Sequence, residues 1–355
     1  MRLVIALLVS LCSSAYALAA QVVDQSGRTV ELPEKVDHVV AIPIPLASMI
    51  MAVDGGPQRL SGMNIASRAD FEFGLLGRMF PEATEVPSQV AGEGFVPNVE
   101  ALAATGAQLV FQWGDRGDGI INPISALGIP VITVLYGDSS HASGWLRLVG
   151  AGLGKAERGN ALADWFEQRS RDIAEHASQV PDDQRPRVLY LQRSRSGLIA
   201  AGKGSSVDGD IRMANGINVA EGVPGFAPVD VEQLLVWDPE VILLNNFEPG
   251  LLPSEFYQDT RLSTLSAVRE KRVYSYPHGG FRWDPPSQES PLALDWLASV
   301  FHPEHAQPGL RERIREAYQL LYGYDVTDED LDHLLKIKGQ GDSAHYLRLF
   351  SKDAP

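Results

Sequence analysis

The sequence predicts an α/β protein of two lobes, joined by a single long rigid helix, with a ligand cleft between the lobes. In the first half of the chain, short apolar runs rich in β-branched residues alternate with helical stretches. The same alternation restarts near Arg187, and one uninterrupted helical stretch separates the two halves. Because short buried strands alternating with helices are typical of parallel sheets, each lobe is expected to be Rossmann-like.

The first twenty residues predict export from the cytoplasm. Arg2 precedes an apolar run over residues 3–11, and Ala17 and Ala19 place small residues at the positions a signal peptidase reads. This is the pattern of a secretory signal peptide. The run is shorter than the roughly 20 residues that span a bilayer, so no membrane insertion is expected. Cleavage is predicted near Ala19 or Ala20.

The mature chain is acidic and has no cysteine. The only cysteine, Cys12, lies in the signal segment, and residues 9–11 before it match a lipoprotein site poorly, so no lipid anchor is expected. Removing the signal, which carries Arg2 and no acid, takes the formal charge from −15 to −16. This charge argues against nucleic acid as a partner. Disulfides and thiolate metal sites are excluded, so the fold must rest on its hydrophobic core.

The first lobe begins with a predicted β-hairpin, whose strands flank a turn at Ser26 and Gly27. Buried parallel strands are then predicted over residues 39–42, 109–111 and 131–135. Crossover helices are predicted over residues 98–103 and 122–127. Asn98 is expected to cap the first of these helices, and Gly128 is expected to end the second.

The second lobe repeats this organisation after a long helix. Residues 156–180 contain no proline and only one glycine, and apolar residues recur there at helical spacing. A helix of about 25 residues spans roughly 38 Å. Strands are predicted over residues 188–191, 241–244 and 273–276, with helices starting at Val231 and Leu292.

These elements predict five segments. They are a signal peptide (1–20), a first lobe (21–153), a connecting helix (154–182), a second lobe (183–305) and a helical C-terminal extension (306–355). The extension is expected to pack on the second lobe through helices at 311–321 and 328–337.

No motif in the chain indicates catalysis or a bound cofactor. The G-x-S-x-G, P-loop and H-E-x-x-H patterns are absent, and the glycines at 150–154 follow a helix where a dinucleotide-binding loop would follow a strand. The eight histidines are scattered without the spacing of three or four convergent ligands. We therefore expect no enzyme, no cofactor and no metal site built from protein ligands. A metal, if bound, is expected to arrive inside its own chelator.

Aromatic, arginine and amide side chains follow the predicted strands, and ligands of parallel sheets bind beyond the carboxyl ends of the strands. Aromatic walls and guanidinium groups suit a bulky, partly apolar anion. The candidate walls are Phe95, Trp113, Tyr136, Phe281 and Trp283. The candidate cationic contacts are Arg116, Arg193, Arg195 and Arg282, and the candidate hydrogen-bonding amides are Asn64 and Asn245.

Several stretches, in order, resemble the periplasmic binding proteins of importers for ferric siderophores, haem and cobalamin. They are residues 23–33, 97–102 with 108–110, 228–235 with 238–242, and 283–287 with 291–292, and the resemblance covers about residues 21–305. It implies two α/β lobes with one connecting helix, a periplasmic location and a monomer that docks on a membrane permease. The docking glutamates of this family match Glu100 and Glu232.

The resemblance implies a function in solute capture. Residues 281–283 resemble a stretch of iron-chelate binders, so the expected ligand is a ferric siderophore-like chelate, handed to the permease of an ABC importer. Haem, cobalamin and a nickel or cobalt chelate stay open as ligands. A periplasmic enzyme acting on a chelate and a sensory or chaperone module stay open as alternative classes.

Overall fold

The computed structural model describes residues 20–137 and 139–352. The predicted signal peptide, except Ala20, lies outside this range. Two lobes, each built on its own sheet, are connected by a long helix, as the sequence predicts. No helix of the described residues is long and apolar enough to cross a membrane.

The first lobe begins with a hairpin, which a buried carboxylate links to the first sheet by hydrogen bonds. Strands β1 (Gln21–Val23) and β2 (Thr29–Glu31) pair antiparallel, and Gly27 adopts a left-handed conformation in the turn. Asp24 is 4% exposed and accepts hydrogen bonds from the Thr133 hydroxyl at 2.6 Å and from Arg28. The hairpin is therefore held against the edge of the first sheet.

The first sheet has four parallel strands in the order β4-β3-β5-β6. Three of these strands were predicted, and β4 was not. The strands are β3 (Val39–Ala41), β4 (Leu60–Met63), β5 (Leu109–Trp113) and β6 (Val131–Val134). The helices around them are α1 (Leu46–Asp54), α2 (Ile65–Phe73), α3 (Leu75–Met79), α4 (Val99–Ala104), α5 (Asn122–Ser125) and α6 (Ser140–Gly152).

The connecting helix α7 (Ala156–Ala177) has 22 residues and packs along α6. Leu162, Phe166 and Ile173 are buried on its inner face, as their spacing predicts. Gly150 of α6 and Gly159 of α7 allow the two backbones to approach closely, because a Cβ on Gly150 would lie 2.7 Å from the Gly159 Cα. The helix is therefore held firmly against the first lobe.

The second sheet has a parallel centre and an antiparallel edge. Its path runs β10-β8-β7-β11-β12, with β9 also paired to β7. The strands are β7 (Arg187–Arg193), β8 (Leu198–Ala201), β9 (Ile217–Asn218), β10 (Phe226–Val229), β11 (Val241–Leu244) and β12 (Val273–Ser275). The helices are α8 (Ser206–Met213), α9 (Val231–Trp237), α10 (Pro253–Gln258), α11 (Ser266–Arg269) and α12 (Ser290–Phe301).

The C-terminal extension packs on the second lobe, as expected, and also contacts the first lobe, which was not expected. It contains α13 (Leu310–Tyr322), α14 (Asp328–Leu334) and α15 (Tyr346–Phe350). Helix α13 packs against α1 of the first lobe as well as α12 of the second. Arg78 of α3 forms an ion pair with Asp330 at 3.1 Å. The main hydrophobic core is accordingly continuous from the first lobe through α7 and α12 into the extension.

Candidate functional site

Four of the predicted site residues come together at the carboxyl ends of β5 and β6. The Trp113 ring meets Phe95 and Tyr136 edge-on, with ring centroids 6.1 and 5.9 Å apart. The Arg116 guanidinium lies 4.7 Å from the Phe95 ring centroid and is exposed to solvent. Tyr136 is 38% exposed, whereas Trp113 is 3% exposed. The first lobe thus has an aromatic rim formed by Phe95 and Tyr136, with Arg116 beside it. Trp113 is buried beneath this rim.

The second lobe brings two guanidinium groups to one ring. The guanidinium carbons of Arg193 and Arg282 lie 4.9 and 4.7 Å from the centroid of Phe247, within the range of cation–π attraction. Arg193, at the end of β7, donates to the Gln192 carbonyl at 2.7 Å. No carboxylate of the described residues lies within ion-pair distance of Arg193 or Arg116. Phe247 was not predicted as a site residue, although it lies in the loop that follows β11.

Arg282 also links the two lobes through a buried carboxylate. Its Nε donates to Asp70 Oδ1 of α2 at 2.6 Å. His278 Nε2 lies 3.1 Å from the same oxygen, within ion-pair distance but without the alignment of a hydrogen bond. Burial of Asp70 raises its pKa, but the nearby charges of His278 and Arg282, with the hydrogen bond from Arg282, prevail and hold that pKa below its usual value. Asp70 was not predicted, because its partner is 212 residues away.

The lobes also approach each other on the other side of the cleft. The Tyr136 hydroxyl lies 3.5 Å from Ser206 Oγ at the start of α8. Tyr136 follows β6, which forms one edge of the first sheet, whereas Asp70 belongs to the helix after β4, which forms the opposite edge. The two contacts between lobes therefore lie towards opposite edges of the first sheet.

Both predicted amides are mostly buried and make hydrogen bonds within the loops after β4 and β11. Asn64 is 7% exposed, and its side chain caps α2 by accepting from the Ala66 amide at 2.9 Å. Asn245 is 2% exposed, and its Oδ1 accepts from the amides of Phe247 and Glu248 at 2.7 and 3.0 Å. Their hydrogen-bonding groups shape the loops that carry the site.

Phe281 and Trp283 lie in the core, so the prediction that they line the cleft is wrong. They are 0% and 1% exposed. The Trp283 indole donates to Glu289 Oε2 at 2.8 Å, and Tyr318 of the extension donates to the same oxygen at 2.9 Å. Burial raises the pKa of Glu289 despite the hydrogen bonds that it accepts. The hydrogen bonds of Glu289 therefore stabilise the loop that contains Arg282.

Arg195, also predicted as a ligand contact, forms its hydrogen bonds within the second lobe. Its Nε donates to Glu255 Oε2 at 3.1 Å, and its other nitrogens donate to the carbonyls of Pro249 and Gly250. Arg193 and Arg195 therefore differ: the first lies over the Phe247 ring, and the second is an exposed residue engaged within the second lobe.

Two exposed glutamates occupy matching positions in the two lobes. Glu100 lies in the first turn of α4, which Asn98 caps by accepting from the Ala101 amide at 3.1 Å, as predicted. Glu232 lies in the first turn of α9, which Asp230 caps in the same way. An acid in the first turn favours the helix dipole, and both side chains also remain accessible to a partner.

The described residues contain no group of three or more His, Cys, Asp or Glu side chains placed to hold a metal ion. The cleft therefore offers guanidinium and hydroxyl donors and aromatic faces. Groups of these kinds can hold an anion by charge and hydrogen bonding.

Comparison with known proteins identifies the family. A family model described as "Periplasmic binding protein" matches residues 89–278. The molybdate-binding protein MolA of Haemophilus influenzae is 25% identical over 332 residues, which cover 86% of this chain and 92% of MolA.

Solved structures agree with this result. A periplasmic solute binding protein from Veillonella parvula is 29% identical with a TM-score of 0.83, covering 90% of this chain and 98% of that one. An ABC transporter solute binding protein from Sulfurospirillum deleyianum is 25% identical with a TM-score of 0.76, covering 89% and 99%. Both are solute-binding proteins by name, and the second belongs to an ABC transporter. The chain belongs to the periplasmic binding protein family.

Proposed function

We propose that this protein captures a compact, metal-containing anion in the periplasm and delivers it to the permease of an ABC importer. The observation that carries the proposal is the pair of guanidinium groups of Arg116 and Arg193. Arg116 follows β5 of the first lobe and Arg193 ends β7 of the second, and neither has a carboxylate partner among the described residues, in a chain with a formal charge of −15. Unpaired cations on an acidic protein are local exceptions that suit an anionic ligand.

A compact ligand is favoured by the contacts between lobes. Tyr136 reaches Ser206 on one side of the cleft, and Arg282 reaches Asp70 on the other. Three of the five aromatic residues expected to surround a bulky chelate, Trp113, Phe281 and Trp283, are core residues. The molybdate-binding relative, which this chain matches over most of its length, supports a metal oxyanion as the cargo.

An iron chelate is the second candidate. The exposed rim of Tyr136 and Phe95, with Arg116 above it, offers aromatic area beyond what an oxyanion needs. A siderophore-sized ligand would have to part the Tyr136–Ser206 contact. Haem and cobalamin, which are large macrocycles, would also have to separate these two residues.

Tryptophan fluorescence of the purified protein tests the proposal, because Trp113 lies beneath the aromatic rim. The probes are sodium molybdate, sodium tungstate, ferric citrate, a ferric catecholate, haem, cyanocobalamin and nickel–histidine. A hydrogen bond to a charged group contributes about 1.5–3 kcal/mol, so Arg193→Gln and Arg116→Gln are each expected to weaken binding roughly 10- to 100-fold. Arg171→Gln, at an exposed position on α7, is the matched control.

A molybdate or tungstate response that both cleft variants lose supports the compact anion. A response to ferric chelates alone supports the second candidate. Wild-type affinity in both cleft variants would refute this site.

Delivery is proposed to depend on Glu100 and Glu232. They are exposed, they belong to different lobes, and each follows an N-cap that fixes its helix. Each lobe thus offers one accessible carboxylate to a permease.

A further inference from the structure

The C-terminal extension reaches the site proposed above. Beyond α14, Lys336 adopts a left-handed conformation with φ of 52°, which turns the chain sharply before a short 3₁₀ helix, Ile337–Gly339. Its ammonium donates to Asn246 Oδ1 in the loop after β11. The next residue in that loop is Phe247, whose ring contacts the guanidinium groups of Arg193 and Arg282. A lysine from the extension thus enters the same loop cluster.

The extension is fixed in place along the edge strand β12. Gln340 is 0% exposed, and its side-chain oxygen accepts from the Ser275 amide at 2.7 Å while its nitrogen donates to the Ser275 carbonyl at 3.0 Å. The Gln340 side chain thus bonds to the backbone of β12 in the way that a residue of a neighbouring strand would. The His278 amide also donates to the Leu334 carbonyl at 2.9 Å. Lys336 is therefore held between two anchors on the second lobe.

The Lys336 ammonium keeps donor capacity for a ligand. An ammonium has three donors, and among the described residues one of them is used, on Asn246. No carboxylate of these residues lies within ion-pair distance of Lys336. The charged groups that act on it are Asp284 and Arg282. Asp284 is itself engaged by the Tyr190 hydroxyl at 2.9 Å, and Arg282 by Asp70.

We propose that Lys336 is a ligand-binding residue, which the C-terminal extension supplies to the anion site beside Arg193 and Arg282. This inference rests on the proposed function. The anion would then be held by cations from three separate parts of the chain: the first lobe, the second lobe and the extension. Because a lysine ammonium is a compact point charge, it suits an oxygen of an oxyanion or of a carboxylate-bearing chelate.

The pH dependence of binding gives a readout that a purely structural lysine would not change. Burial lowers the pKa of Lys336 to about 8, with Arg282 adding to this effect and Asp284 opposing it. The free protein therefore loses this charge as pH rises through about 8. Affinity for an anion is expected to fall over the same range.

Isothermal titration with sodium molybdate and with ferric citrate, from pH 6.5 to 9.5, tests the inference. Lys336→Met is expected to weaken binding roughly tenfold at pH 7 and to abolish the decline above pH 8. Lys336→Arg is expected to keep most of the affinity at pH 7 and also to lose the decline, because arginine stays charged. Lys338→Met, at an exposed position two residues on, is the control and is expected to match the wild type.

The outcomes separate the two proposals. If the wild type binds neither probe, the proposed function fails, and this inference fails with it. If the wild type binds a probe and Lys336→Met binds it equally well, or with the same pH profile, the inference alone is overturned. Loss of affinity in both Lys336 variants, together with a lowered Tm, would assign Lys336 a structural role and would also overturn it.

Discussion

Substituting Asn for Asp70 is expected to destabilise the protein strongly, because it removes the buried carboxylate that links the lobes. Asp70 is 0% exposed, and the Arg282 side chain that it holds is 12% exposed. Removing one partner of a buried ion pair costs about 3–5 kcal/mol, since the remaining charge is left without compensation. Arg282 keeps its stacking on Phe247 and a small contact with solvent, so we expect about 3 kcal/mol.

Glu72 provides a matched control on the same helix. It forms an ion pair with Arg68 at 3.2 Å, and the two side chains are 46% and 43% exposed. Exposed pairs of this kind contribute about 0.3–0.5 kcal/mol. Glu72→Gln is therefore expected to remain close to the wild type, although it removes the same charge two residues away.

Urea denaturation followed by circular dichroism measures both variants. With a slope near 3 kcal/mol per molar urea, the midpoint of Asp70→Asn is expected to fall by about 1 M. The pKa of Asp70 is held below 3.8 in the folded protein, so its contribution is present above that pH and is lost as pH falls through the folded-state value. The difference from the wild type should shrink accordingly in acid. Equal midpoints for the Asp70 and Glu72 variants would refute the reasoning.

Three further tests address other parts of the structure. Glu289→Gln should lower the free energy of unfolding in urea by about 2–3 kcal/mol, because an amide cannot accept every hydrogen bond that this buried carboxylate receives. An unchanged free energy of unfolding would argue against a stabilising role for the Glu289 cluster. Glu100→Arg and Glu232→Arg should abolish ligand uptake by cells while leaving the Kd of the purified protein unchanged, and normal uptake would contradict docking. Gly150→Ala should cost about 1–3 kcal/mol by forcing α6 away from the α7 backbone, whereas Gly119→Ala, where a Cβ meets no atom, should lower Tm little.

The parts of the fold that were predicted are those with strong local patterns. Strands β3, β5, β6, β7, β11 and β12 are buried apolar runs, and α7 has a long helical periodicity without proline. Strand β4 was missed because it contains Ser61 and Gly62 in place of a β-branched run. Gly62 is needed there, since a Cβ would lie 2.8 Å from the Val90 side chain. Strand β10 was missed because it contains Pro228, which an edge strand tolerates.

The site was predicted only in part, because burial of a loop residue depends on distant segments. The sequence places Phe281 and Trp283 after a strand, but the extension that covers this loop through Tyr318 and Tyr322 lies some 30 residues further on. Local patterns do not reveal such a cover. Lys336 lies in the same extension. It was not predicted, because its contact with the loop after β11 joins distant segments and leaves no local pattern in the sequence.

Crystals of the protein grown with sodium molybdate or ferric citrate test the central claim most directly, through anomalous X-ray scattering from the metal. Capture of a metal-containing anion predicts one anomalous peak between the lobes, within reach of the Arg193, Arg282 and Arg116 guanidinium groups. A peak held by surface carboxylates, or a cleft without a peak at saturating concentrations of both ligands, would contradict it.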